Sequence, residues 1–427
     1  MNERILISGA SIAGLALAHW LARHGFQPTV VERAAALRAD GNGVDVRGQA
    51  GEVAERMGIM PRIRALAADV RGIKFVDAAG RPAARVDMRD LDPSSVEIMR
   101  GDLVALLREV TDAEILFDDS IRGLAQDDEG VTVTFEKAPA DRFDLVVGAD
   151  GLHSQVRRLA FGPEQGFVRH KDHYFAFANA DATLGEDRWV TMFSTPGRMA
   201  GVYRSGNHAQ AKAYFAFRSA PLDYDHRDPS VHKRLVSDVF KDQTSWRTRE
   251  LLDSALADPG FYFDACAQVH MTSWSVGRVV LVGDAAWCPS PASGAGAELA
   301  LVGAYRLAGE LAAADGDRQL AFTRYDAALR PLVAARQQIG LNLRLMVPRT
   351  EVGRHVRNIL VRLPLLKAAS AVQRRVGAGN ARPLPEYAPA HLREHRELAF
   401  SPELSSARVR RPGRRTRSCS RFPPMTF

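Results

Sequence analysis

The chain has 427 residues, 46% of them hydrophobic, enough to bury a large core and to organise two or three domains or sub-domains. No run of about 18 apolar residues occurs and the start, MNERILISGAS, reads as a strand and not a signal peptide, so the expectation is a soluble, cytoplasmic protein. The formal charge of +7 is local: the last twenty residues hold seven arginines and no acid, which leaves the body electrically balanced. That tail fits either a segment binding nucleic acid or an anionic surface, or a disordered terminus; disorder over 383–427, with no nucleic-acid or membrane partner, is the expectation. Cys266, Cys288 and Cys419 are odd in number and far apart, with neither metal-ligand spacing nor a disulfide framework.

Residues 4 to 33 form a βαβ unit: a strand from Ile5 to Ser8, a helix to about His24, and a strand ending in Glu32. Gly9-Ala10-Ser11-Ile12-Ala13-Gly14 is the dinucleotide fingerprint G-x-G-x-x-G with serine at its middle position. Gly9 permits the tight turn, Ser11 is small enough for a pyrophosphate to approach, and Gly14 lets helix and strand pack closely. The helix start, at Ile12 and Ala13, supplies amides and a partial positive charge for a phosphate. Glu32, eighteen residues after Gly14, is placed to accept from ribose hydroxyls. A glycine fingerprint alone is a weak signal; strand, helix, second strand and terminal acid together are a strong one.

The stretch from Asp40 to Gly48 is polar and Gly-rich and precedes a helix from Gln49 to Met57. It fits a loop folded over a bulky cofactor or an ordinary connection, and composition does not choose between them. Residues 72–77 and 82–87 read as a hairpin turning at Ala78-Ala79-Gly80. Residues 95–110 give a strand, Arg100, and an amphipathic helix with Leu103, Leu106, Leu107 and Val110 inward. Arg100 alone would read equally as half of a surface salt bridge. Strands at 114–118, 130–136 and 143–148 follow, the last ending in Gly148-Ala149-Asp150-Gly151.

From 173 to 218 the pattern becomes that of a mostly antiparallel sheet rich in rings. One face must pack on helices, predicted at 229–241 and 245–257, so about half of the rings are core. The other face is open to a flat, apolar ligand. Residues 276 to 312 combine a buried strand (Val279 to Val282), a turn at Gly283-Asp284, a Pro- and Gly-rich crossing and a long helix. Asp284 sits at the carboxyl end of its strand, where open α/β sheets place ligands. Gly294, Ala295, Gly296 and Ala297 bring almost no side chain to the helix start, which either bares amides to a ligand or allows close helix–strand packing. Helices at about 318–345 and 352–376 are interrupted near Pro348.

Three motifs in this order resemble one family: GASIAG with Glu32-Arg33, then Asp150-Gly151, then Gly283-Asp284 with Pro291 and Gly294-x-Gly296. They resemble the FAD-dependent class A aromatic monooxygenases, similar in architecture to p-hydroxybenzoate hydroxylase, and among these the tetracycline-inactivating and polyketide-modifying oxygenases. The resemblance runs from residue 4 to roughly 345. It implies an α/β two-domain protein: a Rossmann-like FAD-binding domain (1–72, 100–170 and 275–345), an inserted, mostly antiparallel β-sheet substrate domain (73–99 and 171–274), and a C-terminal helix (346–382) before the basic tail.

Carried over position by position, the resemblance implies that Gly9, Ser11 and Gly14 face the FAD pyrophosphate and that Glu32 and Arg33 hold the adenosine. Asp45 and Arg47, in VDVRG, and Arg100 match FAD contacts. Asp150 and Gly151 would serve FAD or NADPH, Asp284 the ribityl or pyrophosphate region, and Pro291, Gly294, Ala295, Gly296 and Ala297 the isoalloxazine. Arg198, in TPGRMAG, resembles a substrate-contacting arginine, with Phe193 and Tyr214 as ring candidates for the same role. The implied reaction is reduction of FAD by NADPH or NADH, addition of O₂ at C4a, and delivery of one oxygen atom from the hydroperoxide to an aromatic substrate. It needs no protein nucleophile or other catalytic side chain and no metal; a monomer or homodimer is implied.

Trp287 and Glu298 depart from the family, which commonly has His after GDAA and Asn or a small polar residue after the G-x-G. A carboxylate beside a reduced, anionic flavin is unfavourable, so Glu298 is expected to point away from the ring. The competing readings are a flavin-dependent reductase or dehydrogenase on the same fold, and a degenerate, non-catalytic flavin-binding protein.

Overall fold

Strand Arg4–Ser8 lies inside a six-stranded sheet, flanked by Leu145–Gly148 and Gln27–Glu32, in a computed structural model describing residues 3–87, 95–339, 345–362 and 383–387. Ile5, Leu6 and Ile7 are fully buried, as expected of a parallel strand covered on both faces. Val279–Leu281 extends the sheet on one side and Glu114–Phe117 on the other, all in parallel. The short Ser275–Val276 caps one edge in antiparallel fashion. Helices Ile12–Arg23 and Gly296–Ala313 pack on each other beside this sheet, and small residues (Ala16, Ala18, Ala300, Ala304, Ala308) permit the close approach.

The second large sheet has seven strands: Tyr262–Val269, Val168–Ala180, Ala211–Arg218, Arg198–Arg204, Trp189–Thr195, Gly72–Val76 and Pro82–Asp87, in that order. All its pairs are antiparallel except Trp189–Thr195 with Gly72–Val76. Helices Pro229–Phe240 and Thr248–Ala257 cover one face, through Val236, Phe240, Leu251 and Leu252. Directly opposed residues share a face. The register therefore puts Phe193, Ala200, Phe215, Ala176 and Phe263 on the helix-covered side. Met192, Gly201, Tyr214, Phe177 and Tyr262 line the other.

Several elements differ from the sequence reading. The stretch read as a loop from Asp40 contains a strand, Gly43–Val46, paired antiparallel with Val96–Met99. This ribbon joins a segment assigned to the cofactor domain with one assigned to the substrate domain. Ile121–Gln126 is an unanticipated strand of a meander with Val131–Phe135 and Asp141–Phe143. A register shift between Ile121 and Gly123 breaks the alternation that would have announced it. The helix expected over 318–345 ends at Arg336, where Gln337 Nε2 donates to Val269 O and Trp287 O at 2.8 and 3.2 Å. The helix after Pro348 is described as Glu351–Arg362; its expected continuation to 376, Cys419 and the basic tail beyond Tyr387 lie outside the described residues. Cys266 and Cys288 are buried free thiols. No helix among the described residues is long and apolar enough to cross a membrane.

Parity decides what the ring substitutions should do. Phe193 is 6% exposed and lies 6.0 Å from Trp246 between sheet and helices. Phe193→Ala is expected to cost about 3 kcal/mol of stability, read by urea unfolding, with no selective loss of ligand affinity. A specific loss of substrate binding at unchanged stability would contradict this register.

Candidate functional site

Three strand ends finish level with one another: Ser8 pairs with Gly148, and Gly148 with Leu281. Each runs into one of the glycine motifs, and the motifs touch. Gly9 has φ +108°, and a Cβ there would lie 2.6 Å from Ala149 O. Gly14 is equally constrained, since its Cβ would meet Gly9 O at 1.9 Å. Gly283, with φ +66°, comes so near the first helix that a Cβ would meet Ala13 Cβ at 2.8 Å. Both stretches, read separately in the sequence, thus open on one side of one sheet.

Within this locus Glu32 accepts from Ala10 N at 2.8 Å and Ala34 N at 2.9 Å, so it holds the first turn closed besides presenting its remaining lone pairs. Arg33 is exposed next to it, and Ile12 and Ala13 are buried at the helix start. Ser11 makes no cap of its own; its Oγ accepts from Arg100 Nη2 at 2.7 Å. Arg100 opens helix Arg100–Glu109 and is fixed by Arg100 N donating to Asn42 O at 2.8 Å. Burial disfavours its charge, while Tyr262, Asp284 and Glu32 support it. Asp284 is exposed although crowded by protein: burial pushes its pKa up and the Arg100 charge pulls it back. Arg100 is therefore a member of the cleft and not a surface salt bridge.

Asp150 is placed differently from Asp284. Its Oδ1 accepts from Ser154 Oγ at 2.5 Å, and its Oδ2 from Gln155 N and Val156 N at 2.8 and 3.1 Å. Ser154 is the N-cap of helix Gln155–Phe161, with Asp150 Oδ2 taking the first two helix amides and Oδ1 holding the Ser154 hydroxyl, so what Asp150 does in the described structure is to shape the turn. Gly151, at φ +84°, has open space where a Cβ would sit.

The crossing after Asp284 passes Ser290, at φ +79°, a 3₁₀ turn Pro291–Ser293, and Gly294 in the left-handed region. Helix Gly296–Ala313 starts without a side-chain cap, and a Cβ on Gly296 would meet nothing within 4 Å. Ala295 and Ala297 are buried to either side of it. Bare amides and the helix dipole leave this start favourable to negative charge. Asp45 Oδ2 lies 3.6 Å from where a Gly294 Cβ would be. Arg47 donates to Gly294 O at 3.4 Å and to Glu298 Oε2 at 3.5 Å, and Arg336 donates to Glu298 Oε1 at 2.7 Å. Glu298 is thus turned onto two guanidinium groups. Trp287 packs in the core, 4.6 Å from Trp274, and a Cβ on Gly303 would meet it at 2.7 Å. Its departure from histidine is matched by that glycine.

Of the substrate candidates, Tyr214 lies on the face of the seven-stranded sheet turned away from the two helices, 6.2 Å from Phe177, which stacks 4.8 Å from Tyr262; Met99 and Val347 pack on other parts of that face. Phe193 and Arg198 are corrected by the register, which turns both to the helix-covered side; Arg198 pairs with Phe217 there. Their spacing in the sequence carried no parity information, because the strand boundaries set it.

A half-buried charge cluster that the sequence did not announce adjoins Tyr262. His153 Nδ1 lies 3.0 Å from Glu164 Oε1, and Nε2 3.1 Å from Asp264 Oδ1, while Tyr262 OH donates to Asp264 Oδ2 at 3.0 Å. Burial lowers the His153 pKa, but hydrogen bonds and charges from Asp264 and Glu164 win and push it up to about 9. The raised value means the folded state holds this proton more tightly, so the stabilisation is full below about 6.5 and is lost as pH rises through about 9. We expect up to about 3 kcal/mol of this pH dependence, flattened in His153→Ala when melting temperature is followed against pH. An identical slope in the variant would refute it.

The chain resembles known proteins over most of its length. The family model described as an FAD binding domain matches residues 3–335. A flavin-dependent monooxygenase of Legionella longbeachae is 39% identical over 346 residues, covering 80% of this chain and 88% of the relative. The crystal structure of tetracycline destructase Tet(51) superposes with a TM-score of 0.79 at 34% identity, covering 91% of this chain and all of the other. Tet(55) gives a TM-score of 0.75 at 36% identity, covering 90% and 99%.

Proposed function

The chain belongs to the FAD binding domain family and is an FAD-dependent monooxygenase, and on that premise we propose that it oxygenates a phenolic, polyketide-like small molecule. The observation that carries this reading is that Arg100 links the first glycine turn, through Ser11, to Asp284 and to Tyr262 on the sheet face that also bears Tyr214 and Phe177. That the named neighbours include tetracycline destructases supports a fused-ring substrate.

The residues present fit FAD. Glycines forced at 9 and 14 hold the first turn close against the sheet, open space lies over Gly296, and Asp284 is exposed within the field of Arg100, so backbone more than side chain fronts these turns. Gly9, Ser11, Gly14 and the amides of Ile12 and Ala13 would hold the pyrophosphate, and Glu32 and Arg33 the adenosine. Arg100 and Asp284 would hold the middle of the cofactor. Asp45, Arg47, Pro291 and the Gly294–Ala297 stretch would hold its ring end. When bound, FAD supplies the redox chemistry, passing two electrons from NADPH or NADH to dioxygen. The protein's share is to lay a flat substrate against the aromatic face and to keep water from the reacting atoms.

Purified protein should be yellow, and NADPH consumption should rise when a phenolic polyketide such as tetracycline is added. Isotopic dioxygen should then label the product. Label absent from a product that still forms would leave a reductase or dehydrogenase instead; protein that rejects added FAD would overturn the reading altogether.

A further inference from the structure

The ribbon of Gly43–Val46 and Val96–Met99 sets Asp45 directly opposite Glu97. Like charges facing each other across an antiparallel pair repel, and the pairing is tolerated best when one carboxyl holds a proton. Among the described residues Asp45 is met by Ser95 Oγ at 2.9 Å, and the groups acting on Glu97 are Asp45 and Tyr203, neither of them a cation. The fold makes room for the Glu97 carboxyl at a specific place, since a Cβ on Gly43 would lie 1.9 Å from its Oε1.

That place is the junction of the two halves of the cleft. On one side Asp45 abuts Gly294, where the crossing for the cofactor's ring end begins. On the other, Glu97 acts on Tyr203 and Tyr214, whose rings are 6.3 Å apart on the face of the sheet turned away from the two helices. Tyr203 is 4% exposed, and its hydroxyl, which finds no partner at strict hydrogen-bond geometry, lies against the Glu97 carboxyl, whose charge and hydrogen bonding both act on it. A buried hydroxyl set against a half-buried carboxyl pair marks a polar spot beside the rings of Tyr214, Phe177 and Tyr262.

We propose that Glu97 is the acid–base residue of the oxygenation, accepting the proton of a phenolic or enolic hydroxyl on the substrate. This rests on the phenolic reading of the substrate given above. In the step, the substrate O–H bond breaks, its electron pair stays on that oxygen, and the proton forms an O–H bond to the Glu97 carboxylate. The ring, richer in electrons, is then the better nucleophile toward an electrophilic oxygen atom. Attack through the ring carbon leaves a dienone. Its carbonyl oxygen takes the proton back from Glu97 as the oxygenated carbon releases its hydrogen as a proton to water and the C–H electron pair restores the ring, so Glu97 ends each turnover as it began. Dioxygen and the nicotinamide supply the oxidising and reducing equivalents.

The electrostatics suit this role. Burial, then the Asp45 charge, push the Glu97 carboxyl up to about 7, so near neutral pH it exists in both forms. The titratable groups facing it are Asp45 from the paired strand and Tyr203 and Tyr214 from the sheet. Burial holds both phenols well above their usual range, with Glu97 adding to the shift, so they stay neutral while Glu97 titrates.

The test uses the FAD-loaded protein and Glu97→Gln, with Glu97→Asp as a second variant that keeps an acid. Infrared difference titration of parent against Glu97→Gln reads this carboxyl directly, and its midpoint should fall near 7. With tetracycline and simple phenols as probes, kcat/KM of the parent should rise about tenfold per pH unit up to that midpoint and then level. Glu97→Gln should lose about 100-fold and the slope with it, at unchanged flavin absorbance, and Glu97→Asp should restore a slope. A parental pH profile in Glu97→Gln, or a midpoint in the ordinary carboxylate range, overturns the proposal. If the parent turns over none of the phenols, the substrate reading fails, and the infrared midpoint alone then decides for or against a protonated Glu97.

Discussion

Gly14→Ala is expected to yield a colourless protein that melts well below the parent. The added methyl would stand 1.9 Å from Gly9 O, a contact with backbone that no rotamer can relieve. Either the first helix moves off the sheet or the turn at Gly9 opens, and Gly9 itself is wedged against Ala149. Overpacking of this kind costs about 3 kcal/mol, and the displaced helix start no longer aims its amides at the pyrophosphate. Gly151→Ala is the control. It also carries a positive φ, +84°, but open space surrounds the added atom, so only backbone strain of about 1 kcal/mol is expected, with flavin retained. Absorbance in the visible and thermal melting settle both. A Gly14→Ala protein with a full complement of FAD would show that this helix start is not part of the cradle.

What the sequence disclosed follows the same division between local and distant causes. Gly9, Gly14 and Glu32 were legible because a turn, a helix and a strand of one βαβ unit impose them within thirty residues. Asp284 and Gly294 to Ala297 were legible for the same reason. Asp45 stood in a segment that fitted a loop, because its strand partner, Val96–Met99, lies fifty residues on. Glu97 carried no signal at all: an acid in a four-residue strand becomes singular only when another acid is laid opposite it. Tyr262–Val269 went unseen because Asp264, Ala265 and Cys266 give a strand little β-branched or aromatic character, and its place is set by pairing with Val168–Ala180. Phe193 and Arg198 show the limit on faces, since a period of two assigns sides only when register is known. His153, Glu164 and Asp264 come together from three separated segments, and no spacing rule connects them.

Arg336→Ala should destabilise the protein far more than Glu298→Gln, although both break the same ion pair. Glu298 is 2% exposed, so its carboxylate depends on the cations that reach it, Arg336 at 2.7 Å and Arg47 at 3.5 Å. Removing Arg336 leaves that charge buried with the longer contact alone; about 2 kcal/mol is expected, below the cost of a fully stranded charge because Arg47 remains. Removing the carboxylate charge instead leaves two guanidinium groups, 34% and 26% exposed, that water can solvate, so Glu298→Gln should cost under about 1 kcal/mol. The functional signatures differ in sign as well. Glu298→Gln adds net positive charge at the start of helix Gly296–Ala313, next to where a reduced, anionic flavin ring would lie, and should raise the flavin midpoint potential. Arg336→Ala removes positive charge there and should lower it. Urea unfolding and a flavin redox titration separate the two. Equal destabilisation, or potentials moving together, would mean that Glu298 is not a buried anion held off the ring by its arginines.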